Sequence, residues 1–165
     1  MISSLYNQSI PIFIHYLNQL DALYKKGSAF AEAQGKKPEV FLDLPFQAQA
    51  VCNSIVLFID RVSGREHVAV EDDETTFAQL HARIARTLDY ARAVTPAELD
   101  GRADQPVLMA THIGTFRFET AQAYLSQFVL ANMHFHLSIA YCLLRQQGAP
   151  LGSMDYFGDV FKKVE

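Results

Sequence analysis

Apolar residues recur along most of this chain in alternating steps of four and three, the spacing that gathers side chains on one face of an α-helix. Tyr6, Ile10, Phe13, Leu17, Leu20 and Tyr24 form the first such stripe. A stripe of this kind must be buried against another element, so the pattern predicts helices packed on helices. Pro11 falls inside it and leaves two readings: a helix that begins near Ser9 with the proline in its first turn, or a longer helix that kinks there. The segment Gln34-Gly35-Lys36-Lys37-Pro38, a glycine followed by a proline, reads as the helix stop.

A second helix is predicted from near Pro45, with Ala48, Val51, Ile55, Phe58 and Val62 on one stripe and Gln49, Cys52, Val56 and Ile59 on another, until Gly64 ends it. So wide an apolar arc implies burial on more than one side, with Gln49 as the polar interruption. The acidic run Glu71, Asp72, Asp73, Glu74 leads into Thr76-Phe77-Ala78-Gln79, which has capping-box spacing, and the run reads as a solvated loop that complements a helix end. Phe77, Leu80, Ile84, Leu88 and Ala91 then form the core face of a third helix, with Thr95-Pro96 as its terminator. Between Pro106 and Phe118 the helical period lapses and a short β-hairpin turning near Gly114 is expected. The last helix runs from about Thr120 to Gln147, with Gly148 and Pro150 as its stop. The tail around Tyr156 and Phe157 is apolar enough to pack on the helices or on a second subunit.

At 165 residues the chain fits one domain, residues 1–165, because two cores would each be too small to bury enough surface. No apolar run reads as long enough to cross a bilayer, and the start lacks an export leader, so a cytoplasmic location and no membrane partner are expected. Cys52 and Cys142 fall inside predicted helices and read as reduced, buried thiols. With a net charge of -4 and scattered Lys and Arg, no basic stripe is available for nucleic acid.

Asn132 and His136, four apart on the last helix, share a face with Leu125, Val129, Ile139 and Leu143 and turn two polar groups toward an apolar interior. Gln49, Cys52 and Asn53 are the candidates facing them from the second helix. The bland reading is a polar core layer, and for Cys52 a small apolar core residue. As metal ligands, carboxamides are weak donors beside imidazole. His134 points to another face than His136, so the HxH spelling is a weak metal signal. His15, His67 and His112 read as surface or loop residues, and His81 as a remote third ligand. No phosphate loop, GxSxG or HExxH is present.

Ser9-Ile10-Pro11-Ile12-Phe13, Phe46-Gln47-Ala48-Gln49-Ala50, Glu74-Thr75-Thr76-Phe77-Ala78-Gln79-Leu80, Ala131-Asn132-Met133-His134-Phe135-His136 and Gly148-Ala149-Pro150-Leu151-Gly152 together resemble the DinB-like superfamily, in a branch of bacterial domains of unknown function. The resemblance spans nearly the whole length. It implies an all-α, up-and-down four-helix bundle, often dimeric, with a pocket between helices and, here, the hairpin before the last helix. Metal-binding members place one histidine on the second helix and an HxxxH on the last. Carried onto this chain, those positions fall on Gln49, Asn132 and His136, so one of three histidines remains.

The expected function is accordingly a non-catalytic or small-molecule-binding domain with a degenerate metal site, its ligand held near Gln49, Cys52, Asn132 and His136. The alternative is a divalent-metal-dependent transferase or hydrolase, with zinc or nickel on His136, Asn132 and Gln49. A homodimer that buries Tyr141, Tyr156 and Phe157 is compatible with either.

Overall fold

The computed structural model describes residues 4–35 and 43–164. Its elements run α1 (Leu5–Ala33), α2 (Leu44–Ser63), α3 (Phe77–Arg92), the single turn α4 (Pro96–Leu99), β1 (Val107–Thr111), β2 (Gly114–Phe118), α5 (Ala121–Ala123), a π-helical turn (Tyr124–Val129), α6 (Leu130–Gln146), α7 (Ser153–Phe157) and a terminal 3-10 turn (Gly158–Val160). The fold is thus mostly helical, with one small antiparallel two-stranded sheet.

α1 is continuous through Pro11, which resolves the two readings in favour of the longer helix. Ser4 caps it by accepting from the Asn7 amide, and Ile10, Phe13, Leu17, Leu20 and Tyr24 are fully buried as the stripe predicts. The stop expected at Lys36, Lys37 and Pro38 lies outside the described residues. α1 packs on α3, α3 on α2 and α2 on α6, around one continuous apolar cluster. α1 also meets α6, where a Cβ on Gly27 would stand 2.5 Å from Leu144 Cδ2, so only a glycine admits Leu144 at this depth. Thr76 and Gln79 form the predicted capping box at the start of α3. α3 ends at Arg92, just ahead of the expected Thr95-Pro96 terminator, and Pro96 also opens α4, where the Glu98 carboxylate accepts from the Thr95 amide at 2.7 Å.

The hairpin forms with Val107 opposite Phe118 and Thr111 opposite Gly114, its tip at His112 and Ile113. It leans on the helices through buried Val107 and Met109 and through Phe118, whose ring lies 5.0 Å from that of Tyr124.

The π turn has the largest consequence for the site. An α-helix entering on Leu125 and Val129 would continue its inward face on Asn132 and His136, but a π turn inserts one extra residue and rotates the remainder of the helix. The buried residues of α6 are Met133, Leu137, Ala140 and Leu144, while Asn132, His136, Ile139 and Leu143 sit on its flank, half-buried. The expectation that Asn132 and His136 look into the centre of the core is therefore corrected by one helical step.

Two further expectations change. The continuous helix Ala121–Gln146 is, by length and composition, long and apolar enough to cross a membrane, because its polar residues are almost all uncharged; 28% of its most apolar window is buried here. Cys142 is exposed rather than buried, and it and Cys52 are both free thiols. The tail packs on its own chain: Tyr156 lies against Tyr16 and Tyr141, and Lys26 bonds Asp155 at 2.5 Å.

Candidate functional site

α2 carries polar groups on two faces, and the faces lead to different places. Gln47 and Ser54, two turns apart, look toward α6. There the Gln47 carbonyl oxygen accepts from His136 Nδ1 at 2.8 Å, and Ser54 Oγ accepts from Asn132 Nδ2 at 2.8 Å while donating to the Ala50 carbonyl. Burial holds the His136 imidazole below its ordinary pKa, which keeps it neutral with its proton on Nδ1, facing the Gln47 acceptor. The rings of Phe46 and Phe135 meet it edge-on at 5.5 and 5.1 Å.

Gln49, Cys52 and Asn53 look the other way, toward α3. Gln49 donates to the buried carboxylate of Glu74 at 3.0 Å. Of the four predicted site residues, the structure thus brings Asn132 and His136 to one cluster and Gln49 and Cys52 to another, across the thickness of α2. His81, the remote third ligand, is engaged with Asp21 at 2.6 Å on the α1 side of α3. His134 hydrogen-bonds the Tyr156 hydroxyl at 3.1 Å. Among the described residues no three His, Cys, Asp or Glu side chains gather so as to hold an ion. A divalent metal at His136 would find one imidazole, a carboxamide already bonded to Ser54, and no third donor from Gln49. That donor set does not fit zinc or nickel.

The second cluster borders a cavity of about 380 Å³ between α2, α3 and the extended segment 65–70, which covers it as a third wall. Val56, Leu57, Val68, Ala69 and Val70 supply apolar lining. At one end, Arg83 is buried and fully engaged: Nη1 donates to both Glu74 oxygens at 3.0 and 2.9 Å, and Nη2 reaches Asn53 Oδ1 at 2.7 Å and Asp72 Oδ1 at 2.6 Å. Of the acidic run, Glu74 is therefore buried in an ion network, while Glu71, Asp72 and Asp73 are exposed as the solvated-loop reading expects, Asp72 reaching Arg83 from a side chain that is 47% exposed. Cys52 lies beside this network. Burial pushes its thiol up to about 11, against hydrogen bonding from Thr87 and the charge of Arg83, so it is protonated and poorly nucleophilic.

At the other end Asp60, on the last turns of α2, is buried. One of its oxygens accepts from the Tyr90 hydroxyl and the other faces His67 Nδ1 at 2.8 Å. Burial and the adjacent Asp60 carboxylate raise the Tyr90 pKa, keeping the phenol protonated as a donor. Arg65 stands over the Tyr90 ring, 5.0 Å from its centroid, and bonds Glu98 at 2.5 Å, fixing the start of the covering segment. His67, expected from sequence at the surface or in a loop, is a loop residue that lines the cavity. Sequence spacing offers no signal for Asp60, His67 and Tyr90 as a group, because Tyr90 lies thirty residues beyond Asp60. A charged residue in an apolar helical stripe, Asp60 between Ile59 and Val62, is the one local cue.

The chain matches the family model described as a domain of unknown function, DUF1993, over residues 5–157. It is similar to the crystal structure of a DinB family member protein from Shewanella denitrificans, with 26% identity, a TM-score of 0.84, and coverage of 98% of this chain and 96% of that one. No curated protein matches it. The match over almost all of the described helices, with the shared fold, places this chain in the DUF1993 family as a DinB-like domain of unknown function.

Proposed function

We propose that the chain is a small-molecule-binding domain whose ligand occupies the cavity between α2, α3 and segment 65–70. The observation that carries this reading is the cavity itself: about 380 Å³, with apolar walls and buried polar side chains at both ends. Few convergent polar groups in an apolar concavity are the usual composition of a ligand site. The reading differs in place from the one drawn from sequence, since it keeps Cys52, uses Gln49 only as a support for Glu74, and leaves Asn132 and His136 as a polar layer between α2 and α6.

The finer architecture we propose is an up-and-down four-helix bundle of α1, α2, α3 and α6 forming a single domain, supported by their pairwise packing around one apolar cluster. A reducing, cytoplasmic setting is proposed from the two free thiols. A homodimer is proposed through the outward side of α6, where Phe135 is 61% exposed and Ile139 and Leu143 are half-buried. Any zinc or nickel is proposed to bind weakly at His136, for want of a third donor.

The test is a thermal-shift screen of small apolar compounds against the wild type and a Val56→Trp variant, which fills the cavity. Hits that stabilise the wild type and lose their effect in the variant support the reading. Hits that stabilise both equally, or a screen in which nothing stabilises the wild type, count against it. A zinc titration is expected to give weak binding in the wild type and weaker binding still in His136→Ala, and stoichiometric zinc that is lost in the variant would restore the metal-dependent alternative.

A further inference from the structure

Asp60 is a buried carboxylate without a cation: among the described residues no lysine or arginine pairs with it, and its two oxygens serve Tyr90 and His67. Burying such a charge is costly, but a carboxamide in the same place would offer one oxygen and one NH2, and so could not accept from Tyr90 and from His67 Nδ1 at separate oxygens as the carboxylate does. The carboxylate thus fixes Nδ1 as the protonated nitrogen, and it also balances the positive charge when His67 carries a second proton. With Nδ1 turned to Asp60, the nitrogen left to receive that proton is Nε2. The His67 side chain is 44% exposed and forms part of the cavity wall, so a ligand can reach it. A carboxylate that orients an imidazole and balances its charge is the arrangement of a general base.

The rest of the lining narrows what could supply the proton. Arg83 is saturated by Glu74 and Asp72, so it offers no free charge to an anion. An acid already ionised in water would enter past Glu66 toward Asp60, both negative, and would be desolvated on the way. A neutral compound meets no such repulsion on entry, and the charges that form when it gives up its proton inside arise as an adjacent pair. Its new negative charge would meet the imidazolium and Arg86, which lines the same cavity and is held only loosely, 3.5 Å from Glu74.

We infer that the cavity takes a weakly acidic, largely apolar hydroxyl compound, a phenol being the simplest class, and that His67 Nε2 accepts its hydroxyl proton there. The O–H bond breaks, an N–H bond forms on Nε2, and the electron pair stays on oxygen, giving a phenolate beside an imidazolium whose charge Asp60 balances. The inference rests on the ligand-binding reading above and adds to it the ligand class and the acceptor atom.

Para-nitrophenol is the probe, because its phenolate absorbs where the phenol does not. The full chain is titrated into it at a pH where most of the free phenol is protonated, and occupancy is followed separately by ligand-observed NMR. The expected result is a saturable, several-fold rise in phenolate absorbance with the wild type. His67→Gln is expected to lose the rise at a para-nitrophenol concentration raised until NMR shows the site occupied, and His67→Ala to regain it when free imidazole is added. Binding without ionisation, ionisation that survives His67→Gln, or no binding of para-nitrophenol at all overturns the inference. The last outcome leaves the ligand-binding reading standing or falling on the Val56→Trp screen, so the two failures are distinguishable.

Discussion

Replacing Glu74 with alanine puts the buried ion network to a quantitative test. The Glu74 side chain is 5% exposed and Arg83 beside it 4%, so neither can turn to water. The substitution removes both contacts to Arg83 Nη1 and the acceptor of Gln49 Nε2. Breaking a buried pair by deleting one partner costs about 3–5 kcal/mol. Arg83 keeps Asp72, Asn53 and the Glu71 carbonyl, which places its share near ~3 kcal/mol. The unpaired Gln49 amide adds ~1 kcal/mol. A loss of ~4 kcal/mol corresponds to a fall in Tm of ~12 °C for a chain of this size, and to a urea midpoint lowered by ~2 M. The chain has no tryptophan, so the unfolding is followed by far-ultraviolet circular dichroism. The pH dependence supplies an independent check. Burial alone would raise the Glu74 pKa, but Gln49 and Arg83 outweigh it and hold it below its ordinary value of 4.5. A depressed folded pKa gives stability that is complete above the unfolded pKa and is lost as the pH falls through the folded one. The gap between wild type and Glu74→Ala is therefore expected to be constant near neutrality and to close as the pH drops below 4.5. Substituting both partners, Glu74→Leu with Arg83→Met, is expected to recover most of the loss. A single-variant loss under about 1 kcal/mol, the range of an exposed pair, would refute the buried-network reasoning.

Three further outcomes are expected. In the folded protein near pH 8 a maleimide labels Cys142, which is exposed, and spares Cys52, whose thiol is buried and pushed up to about 11; mass spectrometry shows the second label only after denaturation. Gly27→Ala brings a methyl to within 2.5 Å of Leu144 Cδ2 and, since a side-chain tip must give way, costs about 1–3 kcal/mol in urea unfolding, most of it restored by Leu144→Val in the same chain. His136→Ala leaves Gln47 Oε1 without its donor in a partly buried layer and lowers stability by about 1–2 kcal/mol, without changing the affinity of any compound that competes for the cavity.

Much of the fold is legible in the sequence because it rests on local rules. The stripe of α1 needs only its spacing, the start of α3 only Thr76 and Gln79, and the hairpin only the lapse of the helical period. The site is less legible for three physical reasons. α2 is apolar on so wide an arc that its sequence does not say which polar residue meets which neighbour; Gln47, not Gln49, meets His136. The inserted residue of the π turn shifts every face after it, which no fixed period anticipates. The third reason is distance along the chain: Arg83 is nine residues from Glu74, across the start of α3, and Tyr90 is thirty from Asp60, a pair that exists only once α3 lies on α2. The acidic run before α3 looks solvated in sequence because helix-end complementarity explains it locally, and the buried arginine that claims Glu74 belongs to the next element.

Segment 65–74 also has a mechanical reading. It is pinned at His67 by Asp60 and again at Glu71, whose carbonyl accepts from Arg83. Between the pins only Val68, Ala69 and Val70 are untethered, a tether that spans roughly 10–14 Å when taut. That wall of the cavity can bow outward and return, but it cannot peel away unless one pin breaks. For the proposed ligand, exchange would then be a matter of bending a short leash rather than of separating helices, and its rate is expected to be independent of how firmly the core holds together.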